Sequence, residues 1–77
     1  MKEVVIYSKP DCCLCDRALE VLIKVQKAFP FVLRKIYISS DRNLYEQFKD
    51  EIPVVYVQSE KAFKYRVDEA RLVSLLR

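Results

Sequence analysis

Val4-Val5-Ile6-Tyr7-Ser8-Lys9-Pro10-Asp11-Cys12-Cys13-Leu14-Cys15 decides how this chain folds. Its first half is β-branched and aromatic, the composition of a buried strand over residues 2–8, and Pro10 ends the run. Its second half holds every cysteine in the protein, where the strand should hand over to a helix. That helix is expected from about Cys13 to Phe29, and Pro30 stops it. Leu14, Ala18, Val21, Leu22, Val25 and Phe29 repeat at helical spacing and are expected to form its core stripe. Asp16, Arg17, Glu20, Lys24 and Lys27 make the wet face, with Glu20 and Lys24 in the favourable i,i+4 order. Leu19 and Ile23 widen the apolar face, which predicts a helix covered on more than one side.

Outward from this segment, residues 31–38 read as a second strand, through Val32, Leu33, Ile36, Tyr37 and Ile38. Ser39-Ser40-Asp41 is a turn and cap, and Leu44, Tyr45 and Phe48 suggest a short helix to about Lys49. Residues 54–58 and 62–66 read as strands of a hairpin with a tight turn at Ser59-Glu60. Val67 or Asp68 opens a last helix carrying Leu72, Val73, Leu75 and Leu76. The order is β-α-β-α-β-β-α. The first two strands flank a helix, so they should be parallel with a right-handed crossover, and the last two antiparallel. The fold class is α/β, a four-stranded mixed sheet with helices on both faces.

Composition narrows the function. A chain of 77 residues is expected to be one domain over residues 1–77, with a thin stability margin. It contains no glycine and no tryptophan. Its turns must therefore use Asn, Asp, Ser or Pro, or shapes that avoid positive φ. Three cysteines, clustered, do not make a secreted scaffold, which scatters an even set to staple distant loops. They read as a reactive site in a reducing compartment. No charged n-region precedes an apolar h-region, and runs such as Val54-Val55-Tyr56-Val57 are too short to span a bilayer. A cytoplasmic monomer with no membrane partner is expected. The net charge of +3 is mild and mixed with acids along the chain, and Arg34-Lys35 reads as a solvated pair. Without a basic stripe or an RNA-type motif, nucleic acid is not an expected partner.

Cys12 and Cys15 form a C-x-x-C pair, able to close into a disulfide and reopen. Cys12 falls at the start of the first helix, where unpaired N–H groups and the helix dipole favour a thiolate. Lys9 adds positive charge; Asp11 and Asp16 oppose it. Cys12 is thus the expected attacking sulfur and Cys15, one turn on and on the same face, the resolving one. At about 100° per residue, Cys13 turns away from Cys15 onto the charged side. Two alternatives stand beside this reading. Three cysteines without a histidine do not complete a four-ligand metal or iron–sulfur site, so a cluster would need a dimer or external thiols, and no metal ligand is assigned. A non-catalytic binding module on the same fold would use Leu19 and Ile23.

The strand and loop from Val4 to Cys15 resemble those of glutaredoxins, and Glu51-Ile52-Pro53-Val54 looks like their second landmark, a hydrophobic residue before a cis-proline. Cys12-Cys13-Leu14-Cys15-Asp16 is especially similar to a group of small bacterial glutaredoxin-like proteins. The resemblance covers nearly the whole chain. It implies the thioredoxin fold in its smallest form, no bound cofactor, and thiol–disulfide exchange in cell redox homeostasis. It implies a protein disulfide or glutathione as the thiol co-substrate, with Ile52 and Pro53 offering backbone to the substrate. Lys9, Arg66 and Asp68 join them as candidate substrate contacts, although Asp68 reads more readily as a helix cap. Glutaredoxins carry a glycine pair and an aspartate before the final helix. Lys64-Tyr65-Arg66-Val67-Asp68 stands there instead, so that part of the family's site does not carry over intact.

Overall fold

The computed structural model describes residues 1–77. Strand β1 (Glu3–Ser8) leads through the cysteine loop into α1 (Cys13–Ala28) and back through β2 (Val32–Tyr37). One 3-10 turn (Ile38–Ser40) precedes α2 (Arg42–Phe48), followed by the hairpin β3 (Val54–Val57) and β4 (Glu60–Lys64) and by α3 (Glu69–Leu76). The sheet order is β2-β1-β3-β4. β1 and β2 are parallel, and β1–β3 and β3–β4 are antiparallel. This is the expected mixed sheet and element order.

Two-residue alternation along the strands sorts side chains to the two faces. Val4 and Ile6 of β1 lie beside Val57 and Val55 of β3. They pack with Phe63 under Ala18, Leu22 and Val25 of α1 and Leu72 of α3. The intervening residues, Tyr7, Val54 and Tyr56, face the other side. There Tyr7 stacks on Phe48 of α2 with ring centroids 4.9 Å apart, and Tyr56 meets Tyr7 edge-on at 5.6 Å. The short α2 is fixed at its start by Asp41, whose carboxylate accepts the Asn43 and Leu44 N–H groups at 2.8 and 3.3 Å. Helices therefore cover both faces.

Four expectations shift. The buried line of α1 runs Cys15–Ala18–Leu22–Val25. Leu14 falls to one side of that line and is 42% exposed. Of the two residues that widen the apolar face, Leu19 is partly buried against the core, whereas Ile23 is turned away and exposed. The hairpin turn is one residue earlier than expected, on Gln58 and Ser59 at φ 52° and 68°. With both central residues at positive φ, the turn matches the right-handed twist of the strands. The absence of glycine does not remove left-handed backbone; it places it on Asp11, Gln58, Ser59 and Tyr65.

Candidate functional site

The site is built at the C-terminal end of β1. Pro10 and Asp11, the latter at φ 59°, turn the chain so that Cys12 becomes the N-cap of α1. Ncap side chains ordinarily satisfy an orphan helix N–H with oxygen. Here sulfur does so: the Cys15 N–H donates to Cys12 Sγ at 3.2 Å. The first helical turn is closed by the Asp16 N–H donating to the Cys12 carbonyl at 3.0 Å. Cys12 is half-buried, Cys13 exposed and Cys15 buried, and all three are free thiols. Cys13 lies where helical rotation predicts, on the outside.

Cys15 is 4% exposed and belongs to the apolar cluster of Ile38, Phe48, Ile52 and Val54, with Cys12 and Tyr7 at its margin. Burial pushes its thiol up to about 11, its interaction with the Cys12 side chain adds to the shift, and the Lys9 backbone opposes it. Beside it lies a polar cavity of about 60 Å³, lined in part by Ser8, Lys9, Asp11, Asp16 and Lys35. That volume is large enough for water, which needs only about 10–15 Å³ and a few polar partners.

The second landmark sits against the first. The Ile52–Pro53 bond is cis, and Ile52 packs in the same cluster as Cys15. Four contacts hold this loop. Lys61 and Lys64 of β4 reach the Glu51 carboxylate at 2.9 and 3.7 Å. The Tyr65 N–H donates to the Pro53 carbonyl at 2.9 Å, and the Tyr65 hydroxyl donates to the Asp50 carbonyl at 3.0 Å. The hydrogen bond from Lys61 is the main reason the Glu51 carboxyl stays below its usual range.

The remaining candidates separate. Lys9 is at the loop, its backbone on Cys15 and its side chain exposed. Asp68 is the N-cap of α3 and accepts the Arg71 N–H at 3.2 Å, so its carboxylate is engaged in structure. Arg66 lines a groove against α1 together with Leu14, Arg17, Ala18, Val21, Tyr65 and Val67. Sequence pattern alone points to neither Arg17 nor Tyr65 as a site residue. Arg17 reads as one more charge on a wet face, and only the fold brings it opposite Arg66.

A C-x-x-C pair at the start of the first helix, beside a cis-proline, on a β2-β1-β3-β4 sheet, defines a thioredoxin-fold protein. The structure of mitochondrial thioredoxin 3 from Saccharomyces cerevisiae superposes with a TM-score of 0.70, over 97% of this chain and 76% of that one, at 16% identity. Protein Ne2328 from Nitrosomonas europaea gives 0.86, over 99% of this chain and 92% of that one, at 24% identity. In sequence, the chain is 32% identical over 72 residues to the glutaredoxin-like protein YDR286C homolog of Dictyostelium discoideum, covering 86% of this chain and 67% of the relative. The family model for the glutaredoxin-like domain (DUF836) matches residues 3–77, and the chain belongs to that family.

Proposed function

We propose that the protein is a thiol–disulfide oxidoreductase whose redox pair is Cys12 and Cys15. The observation that carries this reading is the sulfur at the helix cap: Cys12 Sγ accepts the Cys15 N–H at 3.2 Å, with Cys15 buried directly behind it. A donor N–H and the positive end of α1 are aimed at the atom that bears charge as a thiolate. Cys12 attacks one sulfur of a substrate disulfide; a Cys12–substrate bond forms and the other substrate sulfur leaves as a thiolate that takes a proton. Cys15 then loses its proton and attacks Cys12 Sγ, expelling the second substrate thiolate. The substrate gains two electrons and the Cys12–Cys15 pair gives them up. An external thiol or dithiol donor restores the pair.

The high pKa of Cys15 fits a resolving role. Part of the upward push comes from Cys12, and that part weakens once Cys12 is tied up in a mixed disulfide. The cavity shared by Cys15 and Asp16 offers the proton a path to solvent. The Ile52–Pro53 loop, packed against the pair, is the expected docking edge for the substrate backbone, with Lys9 at its rim. A reducing, cytoplasmic setting and a monomeric state accompany this reading. No helix is long and apolar enough to cross a membrane.

Single replacements test it. Cys12→Ser should abolish reaction with disulfides, and Cys15→Ser should accumulate a mixed disulfide on Cys12. Equal activity in the two variants would refute the assignment.

A further inference from the structure

The groove between α1 and the segment leading into α3 has no role in the exchange itself. Its volume is about 270 Å³, and its walls are Leu14, Ala18 and Val21 from one face of α1 and Val67 opposite. Leu14, which stands between Cys13 and Cys15 in the chain, is 42% exposed and forms one end of the groove. Beyond Val21 the two elements close, where Lys24 pairs with Glu69 at 3.1 Å. The groove is therefore short. It is smaller than the roughly 300–1,000 Å³ of small-molecule pockets and suits one or two side chains.

Its charge is one-sided. Arg17 and Arg66 line it, and neither is among the residues that form ion pairs in this structure. A guanidinium presents a planar fork of donors that matches a carboxylate. Two such groups over an apolar floor call for an occupant with an acid and a hydrocarbon side chain. Glutathione supplies the acids but no aliphatic side chain, and would leave the floor uncovered. The floor is also tied to the exchange site. Tyr65, which lines the groove, holds the Pro53 and Asp50 carbonyls through its N–H and hydroxyl.

We propose that this groove selects the substrate: a polypeptide disulfide carrying an aliphatic residue and a glutamate or aspartate next to its reactive cysteine. This rests on the oxidoreductase reading above. The atoms exchanged are the same as there; the groove sets which disulfide is presented to Cys12.

The test uses reduced full-length protein in single turnover, with acid quench and chromatography of the released peptide thiol. Probes are symmetrical disulfides of short peptides containing Leu-Cys-Glu, Ser-Cys-Glu or Leu-Cys-Lys, together with glutathione disulfide and bis(2-hydroxyethyl) disulfide. The Leu-Cys-Glu peptide should react about fivefold faster than the Leu-Cys-Lys peptide, the scale of two exposed ion pairs. That ratio should fall to one or below in Arg17→Glu/Arg66→Glu. The Leu-over-Ser preference should fall in Leu14→Ser, a change at an exposed position that a circular dichroism spectrum checks for folding. Equal rates for all peptides, with the hydroxyethyl disulfide consumed, would overturn the groove and leave the oxidoreductase standing. Glutathione disulfide reacting fastest would overturn it in favour of the tripeptide. Consumption of no disulfide at all would overturn both readings.

Discussion

Alkylation of the reduced protein should find the three cysteines in a fixed order. Cys15 is raised from 9.0 to about 11, so at pH 8 only about 0.1% of it is thiolate, against about 9% at the unshifted value. Since the thiolate is the nucleophile, its reaction with iodoacetamide should be about 100-fold slower than that of an unfolded control. Its 4% exposure slows it further, while Cys13 is exposed and reacts freely. Peptide mapping by mass spectrometry over a time course gives each rate separately. The pH dependence separates titration from burial. The Cys15 rate should keep rising about tenfold per unit up to pH 11, whereas a merely covered thiol would level off near pH 9. A Cys15 rate equal to that in the unfolded chain, or a plateau near pH 9, would refute the reasoning.

The same shift makes folding pH-dependent. Above pH 9 the unfolded chain releases the Cys15 proton while the folded chain keeps it to about pH 11. The unfolded state then binds fewer protons, so stability falls as pH rises through that window, by roughly 2–3 kcal/mol at most. Urea unfolding at pH 8.5 and 11 should show this loss, reduced in Cys15→Ala. Asp68→Ala removes the α3 cap and should cost about 1 kcal/mol in the same assay. Ser59→Gly should raise the denaturation midpoint by about 0.5 kcal/mol in stability: relief of left-handed backbone, about 1–2 kcal/mol, outweighs the added flexibility of the unfolded chain.

How much of this was legible in the sequence depends on how local each signal is. The β1–loop–α1 segment was readable because strand composition, Pro10 and helical spacing all act within a few residues. The outward turn of Cys13 followed from rotation alone. Sequence does not place Leu14, because the i,i+4 spacing of Leu14 to Ala18 and the i,i+3 spacing of Cys15 to Ala18 are both compatible with one stripe. The sheet picks the line through Cys15, Leu22 and Val25, and Leu14 is left beside a groove. Ile23 lies off the covered face, because apolarity does not say on which side of a helix the sheet lies. The hairpin slipped by one residue because positive φ falls on Gln58, a residue with no turn preference to reveal it. Arg17 and Arg66 are 49 positions apart in the chain. Only the packing of the α3 lead-in against α1 brings them to one groove.

The most direct test of the account is a redox titration of the protein against defined thiol–disulfide buffers, with mass spectrometry locating the bond. It predicts a two-electron transition that joins Cys12 to Cys15 and leaves Cys13 free, with a midpoint between roughly −180 and −320 mV, the span of cellular thiol couples. A bond that joins Cys13 instead, or no loss of two hydrogens at any potential in that span, would contradict it.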